Sequence, residues 1–317
     1  MGNRLLSTSH GTNREAFHKG DWVRFISISL IWGASFLFIA IGLEAFHPGL
    51  LTWLRVGFGA LLLGLLPRAR GTHIPRADLP RVVLLGVIWV AIPFTLFPLA
   101  QQWIDSAVAG MLNGATPIFT AIIASFLLRQ LPGRLQVVGL AVGFVGILAI
   151  ALPSAGAGNT AALGVVLVVL ATLCYGFSTN IVAPLQQRYG TIPVMARALA
   201  VATVLVTPYG LFGLARSEFA WDAMAATLAV GFLGTGVAFI VMGSLVGSVG
   251  PTRSSFITYL IPVVALILGV VFRDEIVSPV AIIGSLLVIV GALLASRRES
   301  TIPTPVIGSL DVEDNAA

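Results

Sequence analysis

Apolar residues run along this chain in ten long stretches, separated by short polar segments. A helix that crosses the hydrocarbon core of a bilayer needs about 20 mainly apolar residues, and roughly 17 is enough. The connecting segments leave no room for a soluble domain, so the pattern predicts an all-α membrane protein with ten transmembrane helices. The predicted spans cover residues 22–43, 48–67, 82–100, 105–128, 135–152, 162–183, 192–214, 224–246, 251–272 and 279–296.

The amino-acid composition also indicates a membrane protein and excludes two classes of soluble protein. Hydrophobic residues make up 57% of the 317 residues without counting 34 glycines, and charged residues make up 10%. Soluble domains carry about 25% charged residues, because they need a polar shell against water. A cytosolic enzyme and a nucleic-acid-binding protein are therefore excluded, although the sequence pI is about 10.1.

The basic residues are unevenly distributed, and this predicts the orientation. If both termini are cytoplasmic, most of the 18 Lys and Arg residues fall in cytoplasmic segments, as the positive-inside rule requires. We therefore expect a multi-pass protein of the cell (inner) membrane, with a retained first span and two cytoplasmic tails, residues 1–21 and 297–317. Apart from Arg24 at the cytoplasmic start of the first span, the basic residues inside predicted spans are Arg55, Arg197 and Arg253.

The chain also partly repeats itself. Residues 22–152 and 162–296 form two predicted five-helix repeats, and a shift of about 145 residues superposes several of their small, proline and polar positions. Because five is an odd number, the second repeat enters the membrane upside down relative to the first. The matched pairs are Gly86 with Gly231, Phe94 with Phe239, Pro117 with Pro262, Gln130 with Glu275, Gly139 with Gly284, Gly146 with Gly291 and, at a shift of 142, Arg55 with Arg197.

Inverted repeats are the architecture of many secondary carriers, in which two similar halves exchange conformations around a central site. A duplicated membrane scaffold without transport is the alternative that the repeat leaves open.

The segment Trp32-Gly33-Ala34-Ser35-Phe36, followed by Pro48 and Arg55, is repeated in part as Tyr175-Gly176 followed by Arg197. With the paired prolines and glycines that end each half, this order resembles the ten-span EamA branch of the drug/metabolite transporter superfamily over residues 22–297. The resemblance implies a carrier for small metabolites, in bacteria often an exporter of amino acids or related compounds. One departure is Gln130, where the family often has Glu, so the first repeat has no carboxylate at this position.

Two intramembrane arginines are candidate site residues. A charge at membrane depth is costly and is by default a functional candidate. Arg55 is expected about eight residues into its span, where it would bind a carboxylate or phosphate, or else cap a neighbouring helix. Arg197 lies closer to the cytoplasmic face, where snorkelling to the interface is the stronger alternative. Arg253 is interpreted as an anchor at the inner interface.

Prolines inside spans free backbone carbonyls and kink helices. Pro117 and Pro262 occupy equivalent places in the two repeats, and we interpret them as hinges or gates, with plain kinks as the alternative. Asn113 is expected either to contact a ligand or to bond another helix, because a buried amide needs a partner. The remaining candidates for the cavity are Trp32, Ser35, Trp89, Thr95, Tyr175, Ser178, Asn180, Ser255, Thr258 and Tyr259.

The acidic residues and histidines lie outside the middle of the predicted spans. The sequence therefore predicts no metal site, no cofactor and no enzyme activity, and it favours a neutral, zwitterionic or anionic solute over a cationic one. Coupling through an edge carboxylate such as Glu275 and facilitative transport both stay open.

The prediction is a secondary carrier of a small polar metabolite that works by alternating access, with export favoured. Uptake, a non-transporting scaffold and an intramembrane enzyme acting on lipid are the alternatives. The expected partners are the small-molecule substrate and membrane lipid, without nucleic acid, and the carrier is expected to be a monomer or a homodimer.

Overall fold

The computed structural model describes residues 18–128, 132–156, 159–249 and 254–296. In these ranges nine helices are long and apolar enough to cross a membrane, and a tenth apolar helix has 17 residues. A short helix, Pro67–Gly71, connects the second and third. The ten spans are α1 (Lys19–Gly42), α2 (Pro48–Leu65), α3 (Leu79–Ala100), α4 (Ser106–Asn113 and Thr116–Leu128), α5 (Arg134–Gly156), α6 (Asn159–Tyr189), α7 (Thr191–Leu214), α8 (Trp221–Val249), α9 (Ile257–Arg273) and α10 (Pro279–Ser296).

The all-helical architecture with ten spans is confirmed, and one boundary differs clearly. The sixth span was expected to end at residue 183, but α6 continues through Pro184 to Tyr189. It ends at Gly190, whose φ of 82° is a left-handed conformation that favours glycine. Gln130, Arg253, residues 1–17 of the first predicted tail and the whole of the second predicted tail lie outside the described residues.

The packing follows the repeat. α1 packs against α8 and α9, and α6, its counterpart, packs against α3 and α4. Three pairs of equivalent helices also contact each other: α2 with α7, α4 with α9, and α5 with α10. α1 and α3 run in the same direction, because two crossings of the bundle separate their starts. The end of α6 lies at the start of α3, where Tyr189 bonds Asp78. α6 therefore runs opposite to α1. The two sets of five helices are thus inverted relative to each other.

We name the two ends of the molecule by the limits of α1. The Lys19 end holds the starts of α1, α3 and α7 and the ends of α6 and α8. The Gly42 end holds the starts of α2, α4 and α8 and the ends of α7 and α9. The predicted orientation makes the Lys19 end cytoplasmic.

Two π-helical segments interrupt α3 and α8. They cover Gly86–Ala91 and Ala229–Val237, and the 145-residue shift places the first within the second. A π turn inserts an extra residue and changes which side chains face a given neighbour, and such turns are frequent at functional sites.

α5 and α10 meet along a glycine seam, which we define as Gly139, Gly143, Gly146, Gly284 and Gly291. A Cβ atom at Gly146 would lie 2.6 Å from the carbonyl oxygen of Gly284, and one at Gly284 would lie 2.8 Å from that of Gly146. The two backbones are therefore in direct contact, which is the kind of packing that small residues permit in membranes.

Candidate functional site

A cavity of about 720 Å³ lies between the two repeats. Its walls come from α1 to α4 and α6 to α9, whereas α5 and α10 contribute no lining residue among those described. It opens at the Lys19 end, where its lining includes the exposed residues Gln187, Gly190 and Gly247. Towards the Gly42 end it stops at a layer of buried apolar side chains, Phe36, Ile39 and Phe97.

The structure brings eight of the predicted site residues to this one cavity. They come from seven different helices or helix connections, so their sequence separation gives no hint of the meeting point. They are Trp32, Ser35, Arg55, Trp89, Asn113, Tyr175, Ser255 and Thr258.

Arg55 is the charged residue among the described residues of the cavity wall. The residue is 6% exposed, and its guanidinium carbon lies 3.8 Å from the centre of the Phe94 ring, a cation–π contact. Its Nε donates a hydrogen bond to Thr235 Oγ1 at 3.3 Å. Among the residues that the structure describes, no carboxylate pairs with Arg55. In the described parts of the chain, the cavity thus holds a buried cation without a carboxylate partner.

Aromatic rings form much of the remaining wall. Phe97 stacks on Tyr175 with ring centres 5.8 Å apart and meets Phe36 edge-on at 5.4 Å. Trp32 and Trp89 both meet Phe239 edge-on, at 6.2 and 5.8 Å. Residues of both repeats contribute, and this wall suits an apolar group on a bound molecule.

Asn113 lines the cavity and is 8% exposed. Its carbonyl oxygen accepts a bond from the Thr116 hydroxyl, but its side-chain Oδ1 is buried and has no partner in the described parts of the chain. The alternative interpretation of Asn113, a bond from its side chain to another helix, has no counterpart among the described residues. A buried amide oxygen without a partner costs about 1–3 kcal/mol, so a ligand or a water at this position is favourable.

The cavity lining does not include five of the predicted residues. Their polar groups are bonded to backbone carbonyls instead, mostly within one helix: Thr95 to Ala91, Ser178 to Cys174, and Asn180 to Gly176 and Thr120. The hydroxyl of Tyr259 bonds the carbonyl of Ala292 at 3.2 Å and so ties α9 to α10. The fifth residue is Arg197.

Arg197 holds a connection at the Lys19 end. Its guanidinium donates to the carbonyls of Ala69 at 3.1 Å, Thr72 at 2.8 Å and Pro193 at 3.0 Å. These bonds join α7 to the segment between α2 and α3. The two equivalent arginines therefore do different things: Arg55 faces the cavity, and Arg197 satisfies carbonyls of a loop.

The two predicted hinge prolines lie where α4 and α9 cross. α4 is interrupted between Asn113 and Thr116, directly before Pro117, and Pro262 lies inside α9. A Cβ at Gly114 would lie 2.6 Å from Cγ of Pro262, so the interruption of α4 and the proline of α9 are in contact. A hinge role for both prolines stays a prediction.

Glu275 ties the two repeats together at the Gly42 end. Its Oε1 accepts bonds from the Ser106 amide at 2.9 Å and the Ser106 hydroxyl at 2.6 Å, and Oε2 accepts one from the Ala107 amide at 2.8 Å. The carboxylate therefore caps the start of α4 from the loop between α9 and α10. Burial, and then the neighbouring Glu275 carboxylate, raises the pKa of Asp105 beside it.

The Gly42 end also carries a polar depression of about 640 Å³, separate from the cavity. Glu44, Asp105 and Glu275 line it, and Arg273 pairs with Glu44 across it. The apolar layer of Phe36, Ile39 and Phe97 lies between this depression and the cavity.

At the Lys19 end Asp78 joins α3 to α6. Its carboxylate accepts bonds from the Tyr189 hydroxyl at 2.5 Å, Arg81 at 2.7 Å and Arg188 at 3.1 Å. The Tyr189 bond first, and then the two arginines, hold the pKa of Asp78 below its usual value.

Sequence reasoning missed Thr235, Phe94 and Phe97, which complete the surroundings of Arg55 and Tyr175. Phe94 and Phe97 look like ordinary apolar span residues, and Thr235 lies in a glycine-rich apolar run. The one available signal was the partial match of Phe94 with Phe239, since both line the cavity.

Known proteins resemble the chain along most of its length. The EamA-like transporter family model matches residues 22–152 and 162–297. The chain is 28% identical over 285 residues to a probable terminal-alkyne amino-acid exporter of Streptantibioticus cattleyicolor. The aligned region covers 88% of this chain and 94% of the exporter. The chain is 25% identical over 294 residues to the uncharacterized inner membrane transporter YedA of Escherichia coli K12, with 91% and 94% covered. A crystal structure with 20% identity covers 88% of this chain and 97% of its own at a TM-score of 0.59, and it shows the same fold.

Proposed function

Because this chain belongs to the EamA-like transporter family, and is thus a multi-pass membrane transporter and not an enzyme, we propose that it exports a small polar metabolite across the inner membrane by alternating access. The proposed substrate is an amino acid or a related zwitterionic or anionic solute that carries a carboxylate. The amino-acid exporter among its relatives supports this choice.

The burial of Arg55 in the cavity wall is the observation that supports the proposal most directly. A buried guanidinium that no described carboxylate pairs with attracts an anionic group, because the described parts of the protein do not neutralise its charge. Arginine also matches the two oxygens of a carboxylate in a bidentate geometry. The aromatic wall next to it accommodates the apolar part of a substrate.

The shape of the cavity supports alternating access. It is open at the Lys19 end and ends below an apolar layer at the Gly42 end, so a bound solute has one route out in this conformation. With the predicted orientation, this is an inward-open state that loads from the cytoplasm. The inverted repeat supplies the opposite conformation, because each half takes the packing of the other.

Flux through the purified protein in liposomes tests the proposal. The probes are the proteinogenic L-amino acids and, for each, the amine that lacks the carboxylate. We expect flux of at least one amino acid, and we expect Arg55→Met to reduce it by about tenfold or more, as removal of a charge-assisted hydrogen bond does.

Arg216→Met is the matched control, because Arg216 makes a similar cation–π contact with Phe212, at 3.6 Å, on the exposed surface. It should leave flux unchanged. If no amino acid moves, or if Arg55→Met and Arg216→Met behave alike, the proposed role of Arg55 is wrong. Accumulation in whole cells with and without the protein then separates export from uptake.

A further inference from the structure

We propose that Thr235 is a positioning residue for substrate binding: its hydroxyl orients the Arg55 guanidinium so that the two terminal nitrogens face the carboxylate of the substrate. This inference rests on the proposed function. It assigns a role to a residue of the second repeat that lies behind the arginine and is not part of the cavity lining.

The hydrogen-bond directions at Thr235 are fixed by chemistry. The residue is fully buried, and its hydroxyl donates its one hydrogen to the carbonyl of Val230 at 3.0 Å, five residues earlier. The oxygen of Thr235 is therefore an acceptor towards Arg55, whose guanidinium can only donate. The Nε of Arg55 fills this position at 3.3 Å.

The π-helical segment of α8 places Thr235 for this contact. Thr235 lies inside Ala229–Val237, where hydrogen bonds span five residues, so Val230 is the residue one turn before it. The facing residue on α2 is Gly59, one turn beyond Arg55. A Cβ at Gly59 would lie 2.5 Å from Cγ2 of Thr235, so glycine at this position lets the threonine approach.

Arg55 is thus held on two sides. The Phe94 ring lies against the guanidinium, with its centre 3.8 Å from the guanidinium carbon, and Thr235 binds the Nε edge. The edge that remains carries both terminal nitrogens, which is the edge that binds a carboxylate with two parallel hydrogen bonds. Holding a long side chain in its binding orientation lowers the entropy lost when substrate binds.

The other repeat provides an internal contrast. The 145-residue shift aligns Thr235 with Val90, which has the same shape without the hydroxyl. The arginine of that half, Arg197, binds loop carbonyls instead of the cavity. Of the two equivalent arginines, Arg55 lines the cavity and has the Thr235 hydroxyl as an acceptor, whereas the repeat of Arg197 has valine at the position of Thr235.

Thr235→Val is the test, because it keeps the shape and removes the acceptor. We expect the KM for the transported amino acid to rise about tenfold, the effect of losing a hydrogen bond to a charged group, with little change in maximal flux. Thr235→Ser keeps the hydroxyl, so its KM should equal that of the wild type. For any amine that the carrier moves, the KM should stay the same, because an amine has no carboxylate for Arg55.

Thr227→Val is the matched control, since Thr227 is also a fully buried threonine of α8, and its hydroxyl has no partner in the described residues. A double-mutant cycle adds a second measurement. Lysine has no Nε equivalent, so Thr235→Val should have no further effect on KM in an Arg55→Lys background.

The outcomes separate the two proposals. If the wild-type protein moves no amino acid, or Arg55→Met has no effect, the proposed function fails. If Arg55→Met reduces flux but Thr235→Val resembles Thr227→Val, or adds its full effect on top of Arg55→Lys, the positioning role is overturned. If Thr235→Val does not fold, the same KM comparison with Thr235→Ala decides, and a KM equal to that of the wild type overturns the role.

Discussion

The bond network of Glu275 predicts that this one carboxylate keeps the Gly42 end closed. It accepts three hydrogen bonds from the first two residues of α4, and it reaches them by folding back over Gly269 of α9. Glu275→Ala removes all three bonds and leaves two amides at the start of α4 without this acceptor.

The size of the effect follows from the bonds that are lost. Loss of a side-chain cap at a helix start costs about 0.5–2 kcal/mol. Loss of a negative charge at the positive end of a helix dipole costs about 0.3–1 kcal/mol more. Together they amount to about 1–3 kcal/mol, which shifts an equilibrium between two conformations by about 5- to 150-fold. Glu275→Gln keeps an acceptor oxygen and loses the charge, so its effect should be smaller.

Thiol accessibility measures this shift. Cys174 is the one natural cysteine, and after its replacement by alanine a cysteine at Ile39 lies in the apolar layer below the Gly42 end. A membrane-impermeant maleimide, added from the side of the Gly42 end, should label Ile39→Cys faster when Glu275 is alanine. The order of rates should be Ala, then Gln, then wild type.

Glu44→Ala is the control, because Glu44 belongs to the same end but is 49% exposed in its side chain and pairs with Arg273 at the surface. Such pairs contribute about 0–1 kcal/mol. Gly269→Ala perturbs the site independently, because its new Cβ collides with the Glu275 carboxylate. If neither Glu275→Ala nor Gly269→Ala labels faster than Glu44→Ala, the carboxylate does not hold this end.

Two further predictions concern the Lys19 end. Arg197→Gln removes donors from the carbonyls of Ala69 and Thr72, so we expect a lower melting temperature in detergent with an unchanged KM; a changed KM at unchanged stability would contradict a structural role. The pKa of Asp78 is lowered in the folded protein, so its ionised form stabilises the fold above about pH 4, and this contribution is lost as pH falls through the lowered folded value. Melting temperature measured against pH should decline less steeply on the acid side for Asp78→Asn than for the wild type, and identical curves would refute the prediction.

The fold was predictable because span length and apolar composition are local properties of the sequence. The end of α6 was not, because Pro184 looks like a helix end, whereas the structure accommodates it inside the helix and uses Gly190 as the break. Neighbouring helices and local adjustments often re-satisfy the backbone around such a proline in a membrane.

The site was predictable only in part. The cost of a charge at membrane depth identified Arg55 and Arg197 alike, but only tertiary structure shows that loop carbonyls are within reach of Arg197. Thr235 could not be identified, because its role depends on a π turn, and a five-residue hydrogen bond leaves no mark in the apolar pattern. Serine and threonine at membrane depth, such as Thr95 and Ser178, usually satisfy themselves within their own helix, which sequence cannot distinguish from facing a cavity.

The glycine seam has a consequence for how such a carrier diversifies. Its contact is made by backbone atoms, so a larger side chain at Gly146 or Gly284 cannot be compensated by trimming an opposing side chain. The described residues that line the cavity come from the other eight helices and their connections. Substitutions in those eight helices can therefore change substrate preference without disturbing the α5–α10 contact. The helices whose packing is fixed by backbone contact are thus different from the helices that line the cavity.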